Sequence, residues 1–152
     1  MRLTKYKTEF EYDSVVLVRE KSMNYSTENF TSPTIVADVM RNVFRIHKET
    51  EEHVYIVAVN TKNKPIGFFE LSHGTVNASF MNPREIFMKL LLCGAKNFFL
   101  VHNHPSQDTS PSKEDYDVTK RVKECGLLLG VELLDHIIIG KDYFSFHEKG
   151  VL

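Results

Sequence analysis

The stretch "FFLVHNHPSQDTSPSKED", Phe98 to Asp115, decides how this chain is read. An apolar run suited to a buried strand ends in two histidines one residue apart. A polar loop from Pro105 to Pro111 then leads into a helix-start pattern. Side chains two apart in a strand point to the same side, so His102 and His104 face together with α-carbons ~6.5 Å apart. Two imidazoles so placed can converge on one divalent metal. A third ligand is then needed, and a catalytic zinc leaves its fourth position to water. Asp115 is the best-placed candidate, because the loop is long enough to fold the first turn of the helix back over the strand end. Ser112, three residues earlier, also has the spacing of a capping box with Asp115, which needs no metal. The two readings are compatible. A capped helix start holds Asp115 rigidly while the Ser112 hydroxyl points at an activated water or a developing oxyanion.

Working outward, helices and strands alternate. "SVVLVRE" (Ser14 to Glu20) reads as a strand, the polar dozen residues before it as loosely ordered, and "KSMNYSTENFTS" after it as a long connection, a lid or an extended arm. Ser32 and Pro33 start a helix whose Val36, Val39, Met40, Val43 and Phe44 recur at helical spacing. "HVYIVAVN" and "IGFFELS" read as a hairpin about the "TKNKP" turn. Asn82 and Pro83 open a second helix, with Glu85 at the capping-box position and Gly94 at its close. Ser112 caps a third, faced by Val118, Val122 and Cys125. "VELLDHIIIG" and "YFSFHE" are the last two strands, the first a candidate edge for pairing. The fold class is therefore α/β, a mixed central sheet with flanking helices.

The chain has 152 residues, 42% hydrophobic and 26% charged, with a net charge of −1. That length buries ~70% of the unfolded surface as one domain, residues 1–30 belonging to the same unit as 31–152. Near-neutral charge gives no footprint for polyanion binding. Cys93 and Cys125 read as reduced packing residues. No apolar run approaches the ~20 residues of a membrane span, and the start lacks a secretion signal's apolar core, so a cytoplasmic location with no membrane is the default expectation.

His102-x-His104, seven residues, Ser112, two residues, Asp115 resembles the signature of the JAMM/MPN metalloprotease family. "GTVNASFMNPREIF", "HNHPS" and "LLDHIIIG" resemble its RadC branch, over roughly Ile35 to Ile139. The resemblance implies the JAB/MPN fold, a three-layer architecture like that of cytidine deaminases, and one Zn2+ per chain on His102, His104 and Asp115. It also implies an acid/base glutamate just before an early core strand. Glu52 in "TEEHVYIVAVN" is the better match and Glu51 the rival. Something must carry a proton from the water to the leaving nitrogen, which is the chemistry such a glutamate supplies. Gln107 stands where the family block "HNHPSG" has glycine, which bears on the loop's backbone shape rather than on metal binding.

The expected function is zinc-dependent hydrolysis of an amide bond, peptide or isopeptide, in a peptide or protein substrate; the substrate-binding residues are unknown. Two alternatives stand beside it. One is a DNA-repair or nucleic-acid-associated factor, which the family label implies and the charge does not support. The other is a non-catalytic interaction module, against which the complete ligand set argues. Nucleobase deaminases need an H-x-E together with a P-C-x-x-C segment, and the latter is absent here, the two cysteines being Cys93 and Cys125. His136 reads as half of a buried pair with Asp135, and His47, His53, His73 and His147 as surface or packing residues. Phe87, Phe98 and Phe99 read as core, and Arg84 as either a carboxylate binder or a helix-start salt bridge.

Overall fold

The computed structural model describes residues 1–27, 29–74 and 81–152. Among the described residues seven strands form one sheet: β1 (Arg2–Glu11), β2 (Ser14–Asn24), β3 (Glu52–Val59), β4 (Pro65–Gly74), β5 (Asn97–Asn103), β6 (Glu132–Ile139) and β7 (Tyr143–Ser145). Their order across the sheet is β2-β1-β4-β3-β5-β6-β7. The β1/β4 and β5/β6 pairs are parallel and the others antiparallel, so the sheet is mixed.

Alternation along the strands divides the core in two. Tyr55, Val57, Val59 and Val101 pack on Val36, Val39 and Met40 of α1 (Pro33–Asn42). Val54, Ile56, Ala58, Phe98 and Leu100 face the other way, onto Ile86, Phe87 and Leu90 of α2 (Pro83–Leu92) and Val118 and Val122 of α3 (Lys113–Leu129). Helix, sheet and helix pair make three layers, as the alternating elements and the family resemblance imply. Among the described residues no helix is long and apolar enough to cross a membrane.

The helix starts follow their capping residues. The Ser32 hydroxyl accepts from Ile35 N and Asn82 Oδ1 from Arg84 N, each followed by proline in the first turn. Glu85 turns its carboxylate to Arg84 Nη1 at 2.9 Å, the helix-start salt bridge. Gly94 and Gly130 have φ of +68° and +70°, the left-handed geometry that ends a helix at low steric cost.

Three local expectations need correction. The first dozen residues are not loose: β1 pairs with β2 along its whole length and joins β4 through Lys5 and Tyr6. Its polarity hides the strand because it lies near the sheet's edge, with Leu3 buried and Phe10 and Tyr12 exposed at the hairpin tip. The polar connection is shorter than its composition suggests, since β2 continues through Lys21–Asn24. The "VELLDHIII" strand is not an edge, because β7 pairs with Ile137–Ile139 on its outer side. The segment 75–80 of the "GTVNASFMNPREIF" block lies outside the described residues.

Candidate metal centre

β5 carries His102 near its end, buried at 1% exposure. His104 stands just past the strand, its N–H donating to Ile139 O at 2.9 Å. Asp115 comes from the first turn of α3, on the same face of the sheet. The structure brings the three together: His102 Nε2 lies 3.0 Å from His104 Nε2 and 3.3 Å from Asp115 Oδ1, and His104 Nε2 lies 3.7 Å from Asp115 Oδ2. The three side chains form a group able to hold a metal ion, each offering one ligand atom.

The hydrogen bonds behind the ligands fix where the protons are. The Thr119 hydroxyl donates to the carbonyl of Asp115, one turn earlier, at 2.5 Å. Its oxygen is therefore left to accept, and His136 Nδ1, 2.6 Å away, is the donor. Burial keeps His136 neutral, its pKa well below the ordinary histidine range. Its Nε2 must then accept from His102 Nδ1 at 2.8 Å, which leaves the His102 Nε2 lone pair aimed at Asp115 and His104. Burial likewise pushes His102 down to about 4, against the opposing charge of Asp115. His104 is set by a shorter relay, its Nδ1 donating to the carbonyl of Asp108 at 2.7 Å, so that its Nε2 is the free position.

Asp115 is held by its cap. Ser112 N and Ser112 Oγ both donate to Asp115 Oδ2 at 2.7 Å, and Ser112 Oγ accepts from Asp115 N at 3.1 Å. The capping box is real, and it fixes the carboxylate. Burial works to raise the Asp115 carboxyl, but the bonds from His104 and Ser112 and the charge of His102 hold it well below the usual range. His104 is raised by its bond to Asp115 and, despite burial, by the Asp108 carbonyl and the charges of Asp115 and Glu52.

Glu52 is the first residue of β3, half-buried, and its charge is felt at His104. Val54 pairs with His102, where the β3/β5 ladder ends; beyond it the Asn103 side chain bridges the strands, its Oδ1 accepting from His53 N at 2.7 Å, and Glu52 shares the strand parity of Val54. Glu51 is exposed and of opposite parity; its backbone carbonyl accepts from Asn103 Nδ2 at 2.9 Å. The Ser112 hydroxyl lies on Asp115 rather than directed into open space.

Sequence reasoning mispaired His136. Neighbours in a strand face opposite sides, so Asp135 and His136 cannot pair. Asp135 binds Ser145 Oγ at 2.5 Å and His147 N at 2.9 Å on the α1 side, while His136 backs His102 on the other. Strand parity and the i, i+4 spacing of Asp115 and Thr119 were the available signals. Gln107 has φ +66°, the left-handed geometry that a glycine would adopt freely.

The RadC-like JAB domain family model matches residues 30–151. A UPF0758 protein of Clostridium acetobutylicum is 41% identical over 130 residues, 85% of this chain and 56% of that protein. One from Clostridium novyi is 43% identical over 122 residues, 80% of this chain and 53% of its own length. One from a Geobacillus species is 48% identical over 102 residues, 66% and 45% of the two chains. The chain thus spans about half the length of the curated relatives it matches. With the family model covering most of its residues, the chain belongs to the RadC-like JAB domain family.

Proposed function

We propose that this domain is a zinc-dependent hydrolase of amide bonds, acting on a peptide or isopeptide linkage in a protein or peptide substrate. Membership of the RadC-like JAB domain family and the His/His/Asp group support a metal-dependent hydrolase at the coarser level. The observation that carries the reading is the pair of imidazoles whose Nε2 atoms face each other at 3.0 Å with the Asp115 carboxylate beside them. With both Nδ1 atoms donating elsewhere, the two Nε2 atoms and the carboxylate share a space that a single cation, a proton or a metal ion, can fill. Two imidazoles and one carboxylate are a donor set suited to catalytic zinc, and the rings' outer nitrogens are already occupied, as metal-ligating histidines require.

When bound, zinc lowers the pKa of water toward ~7 and polarises a carbonyl. The protein's own groups would supply the rest. His102 and His104 are held in the ligating tautomer. Glu52, whose charge is felt at His104, would take a proton from the attacking water and return it to the leaving nitrogen. Ser112 orients Asp115 and would turn its hydroxyl from Oδ2 to the oxygen that gains charge as the amide carbon becomes tetrahedral.

The test is hydrolysis of a panel of peptides and isopeptide-linked conjugates by metal-depleted and zinc-reloaded protein, beside Glu52→Gln. Cleavage that returns with zinc and is lost in the variant supports the reading. Cleavage by Glu52→Gln at the full rate contradicts the role given to Glu52.

A further inference from the structure

A second cluster lies on the other face of the sheet. His53 of β3 and His73 of β4 are paired residues of neighbouring antiparallel strands, with rings stacked at 5.5 Å. Glu70 joins them on the same face only because the register shifts between Val54 and Tyr55, where Leu71 is the extra residue on β4. Residues three apart in a regular strand face opposite ways; the bulge reverses that and aims Glu70 and His73 at one point. Glu70 Oε1 is 2.8 Å from His53 Nδ1 and 3.6 Å from His73 Nδ1, and one ligand atom from each residue falls within 4.8 Å of the others. Ligand atoms around a tetrahedral ion with bonds of about 2.1 Å stand ~3.4 Å apart, so small side-chain movements complete such a site.

The surroundings match a metal ligand set more closely than a plain ion pair. Glu70 Oε2 is occupied by Lys5 Nζ at 2.7 Å, which leaves Oε1 as the single oxygen offered to the histidines. On the outer side of the ring, His53 Nε2 is 3.7 Å from Glu49 Oε2, an ion-pair distance rather than a hydrogen bond. Glu20 and Glu70 share the Lys5 ammonium at 3.3 and 2.7 Å, and Glu49 stands at His53, so carboxylates outnumber ammonium groups around the cluster. His73 is two-thirds exposed, and a cleft of about 260 Å³ lined by Lys5, Glu20, Glu70 and His73 gives access.

We propose that His53, Glu70 and His73 form a second binding site for a borderline divalent transition ion, zinc being the probe of choice, that clamps β3 to β4 beside Glu52. Imidazole with one carboxylate suits zinc, copper or nickel rather than calcium or magnesium. The site shares no ligand with the His102 cluster and does not depend on that cluster's chemistry.

The experiment is zinc titration by calorimetry, with elemental analysis, on the full chain and on His73→Asn, Asp115→Ala and the double variant. His73 is exposed, so its replacement leaves the fold intact. Two equivalents are expected in the unaltered chain, one in each single variant and none in the double. Zinc should raise the melting temperature of Asp115→Ala and leave that of the double variant unmoved. A single equivalent in the unaltered chain, kept in His73→Asn and lost in Asp115→Ala, overturns the second site and spares the first. Loss in His73→Asn with none in Asp115→Ala upholds the second site and removes the first.

Discussion

His102 and His104 turn their Nε2 atoms toward each other at 3.0 Å while the Nδ1 of each ring is committed, one to His136 and one to the carbonyl of Asp108. Both Nε2 atoms and one carboxylate are thereby offered to the same small volume.

The relay behind His102 makes the first prediction. His136→Phe keeps the ring, which stacks on Phe146 at 4.9 Å, but removes the acceptor for His102 Nδ1–H. A buried donor left alone costs about 1–3 kcal/mol, so the metal-free variant should lose that much stability in urea unfolding. Zinc affinity, measured against a chelator, should fall by about 10–100-fold, as it does when a ligand's supporting partner is removed. Unchanged affinity would show that the relay does not set the His102 tautomer.

Glu52 and Glu51 are separated by parity. Glu52→Gln should lower turnover by about 10²–10⁴-fold with zinc content unchanged, the loss expected for a proton-transfer group. Glu51→Gln, exposed and on the other parity, should leave turnover unaltered. The reverse pattern in rate assays would transfer the role to Glu51.

Acid sensitivity follows from the buried rings. Burial holds His102 at about 4 and His136 well below its ordinary value of 6.5. Between about 6.5 and about 4 the unfolded chain therefore binds more protons than the folded one, and the metal-free domain loses stability as pH falls through that window. His104 acts in the other window. Its raised pKa contributes stability that is complete below 6.5 and is lost as pH rises through its folded value. Asp115 and Glu70, both held low, add further losses only as pH drops below about 4.5. Urea melts of metal-free protein from pH 4 to 8 check this; a flat profile between 6.5 and 4 contradicts it.

The loop between the ligands gives a backbone prediction. A Cβ added at Gly140 would meet Gln107 O at 2.7 Å and Thr109 Cγ2 at 2.9 Å, so Gly140→Ala should cost about 1–3 kcal/mol in thermal unfolding. Gln107→Gly removes a left-handed side chain but frees the backbone of the unfolded chain. Its stability should change by no more than about 1 kcal/mol, and zinc binding should persist.

Much of this was legible in the residues. The apolar run ending at His102, the proline-opened helices and the Ser112–Asp115 spacing pointed to both the layers and the cluster. What stayed hidden needed facts that periodicity does not carry. β1 is a polar strand because its partners, not its side chains, decide its conformation. His136 backs His102 through a parallel register that sets Leu100 beside it. Glu70 reaches the His53 side of the sheet through a bulge, which a regular alternation excludes.

The most direct measurement is elemental analysis of the chain in a His73→Asn background, with and without Asp115→Ala or His104→Ala, after circular dichroism has shown each variant folded. One zinc per chain is expected in the background and none once either ligand is removed. Zinc retained at one per chain in both ligand variants would contradict that expectation.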